Sequence, residues 1–544
     1  MRIGLIVATC LLATPLAART VVVNVNGYTL TVAGELDHFA GLVIGDDGHV
    51  ERLLHASDPL PSGHRVDLHG KTLLPGLIDA HGHVMEMGYQ ALSVDLNGTP
   101  TLATALAKVK AYAAANPQAQ WIVGGGWNQQ RWGLSRFPTA AELDAAVADR
   151  PVWLSRVDGH AGWANSRALA AAGITAATPD PSGGRIERDG AGNPTGVLVD
   201  SAKALVEAKL PKPTSVEADR ALAKALAMLA EVGLTGVGDA GIDRATWDRY
   251  RRFAAMGKLT TRIYALAGGM AELAAIAPAG PIGWSFDDRL AMRGVKLYAD
   301  GALGSRGAWL KAPYSDEPGN RGLQFLTGTA LADAVAKATG GGFQVAVHAI
   351  GDAANAQVLD AYAKVPAATR AALRLRIEHA QIVDPVDLPR FAALGIIASM
   401  QPTHATSDKG MAEARLGEAR LAGSYAWATL LRSGARLAGG SDFPVEPPNP
   451  LFGIHAAVAR QDRSGQPAGG WRPAERLSRV QALAAFTTGA AYAAFAETRV
   501  GTLEPGKWAD FVVTDRDPFT VPAEELWQVR AEQTWLAGKP VYRR

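Results

Sequence analysis

Two histidines separated by one glycine, His81-Gly82-His83, close an apolar run that starts at Leu73 and passes through Pro75-Gly76 and Leu77-Ile78-Asp79-Ala80. In an extended strand residues i and i+2 point to the same face, so the two imidazoles converge. Neutral imidazoles side by side are common ligands for zinc and similar ions. An isolated His-x-His is more often a loop feature than a metal site, so the reading requires further ligand-type residues at the ends of other strands.

The chain supplies them. Lys296 lies in Val295-Lys296-Leu297-Tyr298, His348 closes Val345-Ala346-Val347-His348, His379 closes Ile377-Glu378-His379, and Asp442 follows Gly440-Ser441. Strands are expected at Thr235 to Asp239, Thr261 to Leu266, Gly294 to Tyr298, Gln344 to His348, Arg374 to His379, Ile396 to Gln401 and Ala435 to Gly439. Helix-like segments alternate with these runs, the pattern of βα units with a parallel sheet. With the run that ends at His81 they make eight strands, which close naturally into a barrel whose working residues sit at the C-terminal strand ends. His81, His83, Lys296, His348, His379 and Asp442 would then face one mouth. Any one of them alone has an ordinary structural role; their recurrence at the matching end of successive strands points to a metal.

The 544 residues exceed one ordinary domain and suit a large barrel with additions. A formal net charge of +2 leaves no basic excess, which argues against nucleic acid or an acidic surface as partner and favours a small-molecule substrate. Residues 1–18 open with Arg2, continue through the apolar run Ile3 to Leu16 and reach Ala17-Ala18, the layout of a secretory signal peptide, so a periplasmic or secreted protein is expected. That segment is too short to span a bilayer, and no later stretch is long and apolar enough for a transmembrane helix. The only cysteine, Cys10, lies inside it, so the mature chain would carry no disulfide.

Short alternating strands over residues 19–74 and again over 498–544 are expected to pair into one β-sandwich, with Gly45-Asp46-Asp47-Gly48 as a hairpin connection. The barrel would occupy 75–497, with an insert at about 85–214. The insert reads as a helix at Leu102 to Ala115 followed by a long irregular region, in which Trp127, Trp132, Phe137, Trp153 and Trp163 are candidates to line a pocket. No Gly-x-Ser-x-Gly elbow for a serine nucleophile is present, and Gly124-Gly125-Gly126 lacks the lysine of a phosphate loop and reads as a tight turn.

The segments Leu74-Pro75-Gly76-Leu77-Ile78-Asp79-Ala80-His81-Gly82-His83, Val295 to Arg306, His348-Ala349-Ile350-Gly351-Asp352-Ala353, Arg376-Ile377-Glu378-His379-Ala380-Gln381, Ser399-Met400-Gln401-Pro402-Thr403-His404 and Gly440-Ser441-Asp442-Phe443-Pro444-Val445 occur in order along the chain. Together they resemble the amidohydrolase superfamily, in particular the amidohydrolase-3 branch that includes N-substituted formamide deformylases. The resemblance implies an α/β fold, a (β/α)8 TIM-like barrel with a small β-sandwich built from both chain ends. It also implies one or two divalent ions, zinc being the one expected: His81 and His83 on one, His348 and His379 on a second, and Asp442 beside the first as the proton-handling, catalytic carboxylate. Lys296 would be carboxylated to a carbamate, because an ammonium cannot ligate a cation. The implied activity is hydrolysis of an amide or related C–N bond. Ester, lactone or carbamate hydrolysis on the same site is the enzymatic alternative, and a non-catalytic metal or small-molecule binding protein the alternative of another class. His404, His160, Trp127, Tyr298 and Arg306 are the candidate substrate contacts, with Gln401 a weaker one, and a homo-oligomer is left open.

Overall fold

The apolar run that ends at His83 forms two strands, each in a different sheet. Thr72–Pro75 pairs antiparallel with Phe511–Thr514 and parallel with Asn26–Leu30, whereas Leu77–Gly82 pairs parallel with Leu234–Ile242. Gly76 makes the break sterically possible: a Cβ there would lie 2.1 Å from Thr235 Oγ1. Its N–H donates to the Asp510 carbonyl at 2.8 Å. The computed structural model describes residues 19–157, 159, 161–181 and 184–544. The expected signal peptide, residues 1–18, and His160 lie outside the described residues.

The barrel strands are β1 (Leu77–Gly82), β2 (Leu234–Ile242), β3 (Arg262–Gly268), β4 (Leu290–Tyr298), β5 (Gln344–Ala349), β6 (Arg376–His379), β7 (Ile397–Met400) and β8 (Arg436–Gly439). They neighbour one another in that order, all parallel, with Ile282–Ser285 added antiparallel to β4. Among the described residues no regular ladder joins β8 to β1. The gap is closed just beyond the strands, where the Asp442 N–H donates to the His81 carbonyl at 2.7 Å and the His83 N–H to the Phe443 carbonyl at 2.8 Å. All eight expected strands are present; β2 and β4 are longer than the apolar runs that announced them. Ile78, Ala80, Tyr264, Leu266, Ala346, Ile397 and Ala438 share one buried apolar cluster, the filled interior that a small barrel requires.

The two chain ends do form the sandwich. One sheet runs Val50–Leu54, Gly41–Ile44, Thr20–Val23, His64–Asp67; the other runs Lys539–Arg543, Ala531–Leu536, Phe511–Thr514, Thr72–Pro75, Asn26–Leu30, Leu36–Phe39. Val22, Leu42, Ile44, Leu73, Phe511, Val513 and Trp535 bury against one another, with the Phe511 and Trp535 rings stacked at 5.0 Å.

A second compact unit, Val84–Ala225, contains the insert, and it corrects the expectation of an irregular segment. Its six-stranded sheet runs Gly184–Arg188, Pro194–Asp200, Ala161–Ala164, Val152–Arg156, Ile122–Trp127, Val94–Asp95. The helix Leu102–Ala115 stands where expected, its N-terminus capped by the Thr101 side chain accepting from the Thr104 N–H. Gly124 and Gly125 are strand residues, not a tight turn: a Cβ on Gly124 would meet the Val94 carbonyl at 2.2 Å. Trp127, Trp132, Phe137 and Trp163 build the unit's own core, and Trp153 packs in an adjoining cluster. Trp127 is fully buried and donates its indole N–H to the Leu154 carbonyl at 2.7 Å, so it is core rather than a substrate contact. Among the described residues no helix is long and apolar enough to cross a membrane.

Barrel and sandwich share a buried ion pair. Arg262 on β3 donates Nε and Nη2 to Asp510 at 2.6 and 2.9 Å, and Nη1 to the carbonyls of Asp287 and Asp288. Removing one partner of such a pair leaves an uncompensated buried charge and costs about 3–5 kcal/mol. Arg262→Ala is expected to lose that much in denaturant unfolding, and a loss below about 1 kcal/mol would show that the pair does not couple the two bodies.

Candidate metal centre

The C-terminal ends of β1, β4, β5 and β6 and the segment after β8 bring every expected ligand to one place. His81 Nε2 lies 3.1 Å from Lys296 Nζ and 3.6 Å from Asp442 Oδ1, and His83 Nε2 lies 3.1 Å from the same oxygen. The His379 ring centroid is 5.0 Å from that of His81 and 4.4 Å from that of His348. One ligand atom from each of His81, His379 and Asp442, all buried, falls within 4.8 Å of the others.

A layer of polar side chains behind these residues fixes their orientation. Glu378 Oε2 accepts from His81 Nδ1 at 2.5 Å, which commits Nδ1 as the donor and leaves Nε2 as the lone-pair nitrogen. Arg376 holds Glu378 with Nε at 2.7 Å and Nη2 at 3.0 Å, and reaches the Ala80 carbonyl and Ser399 Oγ, both at 2.9 Å. The Gln401 carbonyl oxygen accepts from His379 Nδ1 at 2.8 Å and sets that ring in the same sense. Asp79 accepts from the His81 N–H and from the N–H and hydroxyl of Ser441. Asp300 takes the N–H groups of Trp309, Ile350 and Gly351, tying the loop after β4 to the one after β5. Sequence reasoning assigned no role to Arg376, Glu378, Asp79 or Asp300. One signal was available: Arg376-x-Glu378 puts two opposite charges on one face of a buried strand, where they must pair.

Burial sets the protonation states. It pushes His81 down to about 4, assisted by Lys296, and His348 down to about 3, also with Lys296 second. His379 is likewise driven well below the ordinary imidazole range, by burial first and then His348. Burial alone would raise Asp442, but the hydrogen bond from His83 and the charges of His81 and His379 hold it well below the usual carboxylate range. Glu378 is also lowered against the opposing pull of burial, chiefly by the Arg376 guanidinium. Neutral imidazoles and an ionised carboxylate, with their acceptor atoms converging, are a donor set that fits a divalent ion. Lys296 as an amine fits less well, since with His81 Nδ1 committed as a donor its Nζ donates to the nitrogen that an ion would use.

The candidate substrate contacts divide. Tyr298 is exposed at the end of β4, its ring 5.5 Å from that of His348 and 4.9 Å from Lys296 Nζ. His404 stacks near His379 at 6.2 Å, and its Nε2 is buried without a hydrogen-bond partner among the described residues. Arg306 is a correction: its guanidinium is taken up by Asp316 and Glu317 in a surface ion-pair cluster, where acidic neighbours close in sequence compete for it.

The model of the Amidohydrolase family matches residues 65–542. The chain belongs to that family. This amidohydrolase is 32% identical over 497 residues to the N-substituted formamide deformylase of Arthrobacter pascens, covering 89% of this chain and 91% of the relative. It is 37% identical over 492 residues to the protein LONG AFTER FAR-RED 3 of Arabidopsis thaliana, covering 88% and 83%. Among solved structures it superposes on an uncharacterized metal-dependent hydrolase from Pyrococcus horikoshii OT3 with a TM-score of 0.78 at 29% identity, covering 93% of this chain and 99% of that one. Family membership and the fold make this chain a metal-dependent hydrolase, with a divalent ion as the group its His/His/Asp cluster suits.

Two outcomes follow from the layer behind the ligands. Glu378→Gln should lower metal affinity about 10–100-fold in a chelator competition, because the amide no longer enforces the His81 tautomer; unchanged affinity would remove Glu378 from that role. In the metal-free protein, His81 protonates at about 4 when folded against about 6.5 when unfolded, so the unfolded chain takes up the proton first. Stability should therefore fall as the pH drops through that window, and His81→Asn should flatten the fall in denaturant titrations.

Proposed function

We propose that the chain hydrolyses an amide or related C–N bond of a small molecule, with His81, His83, His348 and His379 as the protein ligands of one or two zinc ions. The observation that carries the reading is the buried cluster of neutral imidazoles beside an ionised Asp442 at the barrel mouth. The relative named as an N-substituted formamide deformylase supports a C–N bond as the target.

A divalent ion held there supplies Lewis acidity and makes hydroxide available near neutral pH. The residues of the chain do the rest. Asp442, whose oxygen faces both His81 and His83, accepts the proton of the attacking water and returns it to the leaving nitrogen. His404, with its buried Nε2 lacking a partner among the described residues, donates to the substrate carbonyl oxygen and is relieved of its desolvation cost when substrate arrives. Lys296, once its ammonium has lost a proton, takes up carbon dioxide with loss of a second proton to become a carbamate, which exchanges a donor that competes for His81 Nε2 for an anionic ligand. Export rests on the sequence pattern of residues 1–18.

Purified enzyme should be assayed with N-formyl and N-acyl amines, esters and lactones alongside metal analysis. Asp442→Asn is expected to lower kcat on the amides about 10²–10⁴-fold while metal remains bound. Turnover confined to esters and lactones would overturn the C–N reading, and unchanged kcat would remove Asp442 from proton transfer. Enzyme equilibrated with ¹³C-labelled carbon dioxide should show a carbamate carbon resonance that Lys296→Met abolishes.

A further inference from the structure

Tyr298 ends β4 one layer above Lys296. Residues i and i+2 of a strand share a face, so both side chains point into the barrel, and Lys296 Nζ lies 4.9 Å from the centre of the Tyr298 ring. On one side the ring meets that of His348 at 5.5 Å. On the other its hydroxyl faces Gly241 near the end of β2, where a Cβ would come within 3.6 Å. Tyr298 thus packs against two of the expected ligand residues, yet 43% of it stays exposed.

Phe325 reaches the same rim through one residue. Ala299, next after Tyr298, donates its N–H to the His348 carbonyl and accepts from the Phe325 N–H, each at 2.9 Å. Leu323 donates its N–H to the Gly307 carbonyl at 3.0 Å; that carbonyl also accepts from Gly301, whose own carbonyl lies 3.5 Å from His348 Nε2. N–H groups two residues apart that bond to one loop belong to an extended segment, in which the residue between them faces the other way. That residue, Gln324, turns its amide to Gln357 on the helix Asp352–Ala363, so Leu323 and Phe325 share the opposite side, and each is more than half exposed. Among the described residues only Phe286, Tyr298 and Phe325 are aromatic side chains with such exposure, and two of the three stand at this rim. Single apolar side chains on a surface are ordinary, whereas several tied to one reactive centre mark apolar area that a ligand covers. Charged side chains of the same loop are taken up elsewhere: Arg306 by Asp316 and Glu317, and Arg321 by the Lys311 carbonyl.

Resting on the reading of the metal centre as the site of hydrolysis, we propose that Tyr298, Phe325 and Leu323 form the subsite for an apolar alkyl or aryl substituent of the substrate. Tyr298 covers the part next to the scissile bond, and Phe325 and Leu323 cover its far end. The occupant is the substrate and not a second copy of the chain, because the apolar surface begins on the ring that lies over Lys296 and His348, where a partner surface would block the mouth.

Acetohydroxamate and hexanohydroxamate test the subsite without turnover, since both offer the metal-loaded enzyme the same chelating group and differ only in alkyl length. Each added methylene that is half covered contributes about twofold, so hexanohydroxamate is expected to bind about 10–50-fold more tightly in calorimetric titrations. Phe325→Gln and Leu323→Gln should each reduce that ratio about 2–5-fold and Tyr298→Ala about 3–10-fold, while Tyr298→Phe should keep it. A substitution that only disturbs the fold or the metal weakens both hydroxamates alike and leaves the ratio intact. Equal binding of the two, no binding of hexanohydroxamate, or a ratio unchanged in all three truncating variants overturns the proposal. So does an oligomer that Phe325→Gln dissociates in light scattering, because the face would then be a subunit interface. Turnover of esters without amides would overturn the C–N reading and leave the ratio standing, whereas a lost ratio with amides still hydrolysed would overturn the subsite alone.

Discussion

The carboxylate of Asp79 holds the seam on which the site depends. A parallel barrel must join its last strand to its first, and here no regular ladder does so. Asp79, fully buried on β1, instead receives the Ser441 N–H at 3.0 Å, the Ser441 hydroxyl at 2.7 Å and the His81 N–H at 3.0 Å. The space is tight. A Cβ on Gly440 would come within 2.7 Å of Asp79 Oδ1, and one on Gly82 within 2.2 Å of the Phe443 ring. Closure of the barrel and assembly of His81, His83 and Asp442 are therefore one event. Burial raises Asp79 to about 7 in spite of these donors, a sign of how much water the seam excludes.

The second constraint is charge. A guanidinium and a carboxylate placed inside a barrel repay their desolvation only with excellent geometry and further hydrogen bonds. Arg376 meets both conditions: it grips both oxygens of Glu378 and spends its remaining reach on the Ala80 carbonyl of β1 and Ser399 of β7. A hydrophobic pair of similar volume would serve stability as well or better. What it would not do is hold His81 Nδ1 as a donor, so the pair is explained by the orientation of a ligand and not by the energetics of the core.

How much of this was legible follows from which forces act locally. Strand-end ligands could be read because period and composition announce eight apolar runs, and five of them end in, or lead directly into, a ligand-type residue. The sandwich was legible because its two halves carry the same short alternation, although Asn26–Leu30 and Leu36–Phe39 are polar enough to pass as turns. The insert was not. Its glycines and tryptophans look like loop and pocket residues, yet Gly124 is small because Val94 lies against it, and Trp127 is large because it fills a core. Both reasons are tertiary. Arg306 misled in the same way, since nothing in a short window says that Asp316 and Glu317 fold back onto it.

The ends of the strands also solve a problem that a regular strand cannot. In an ideal strand, neighbours point to opposite faces, so Glu378 and His379 could not both attend to His81. They do: Glu378 bonds its Nδ1, and the His379 ring lies 5.0 Å away. The backbone makes this possible by leaving the β region at once, with φ of 74° at His379 and 44° at Ala380. Asp442 turns the same way, at φ 61°. Such left-handed backbone at non-glycine residues costs about 1–3 kcal/mol each and persists only where the surroundings over-determine it. Gln401 behind His379, and Asp79 with Ser441 behind Asp442, supply that determination. The strain is thus the consequence of aiming adjacent side chains at one point, and it marks the same residues that convergence of the ligand atoms marks independently.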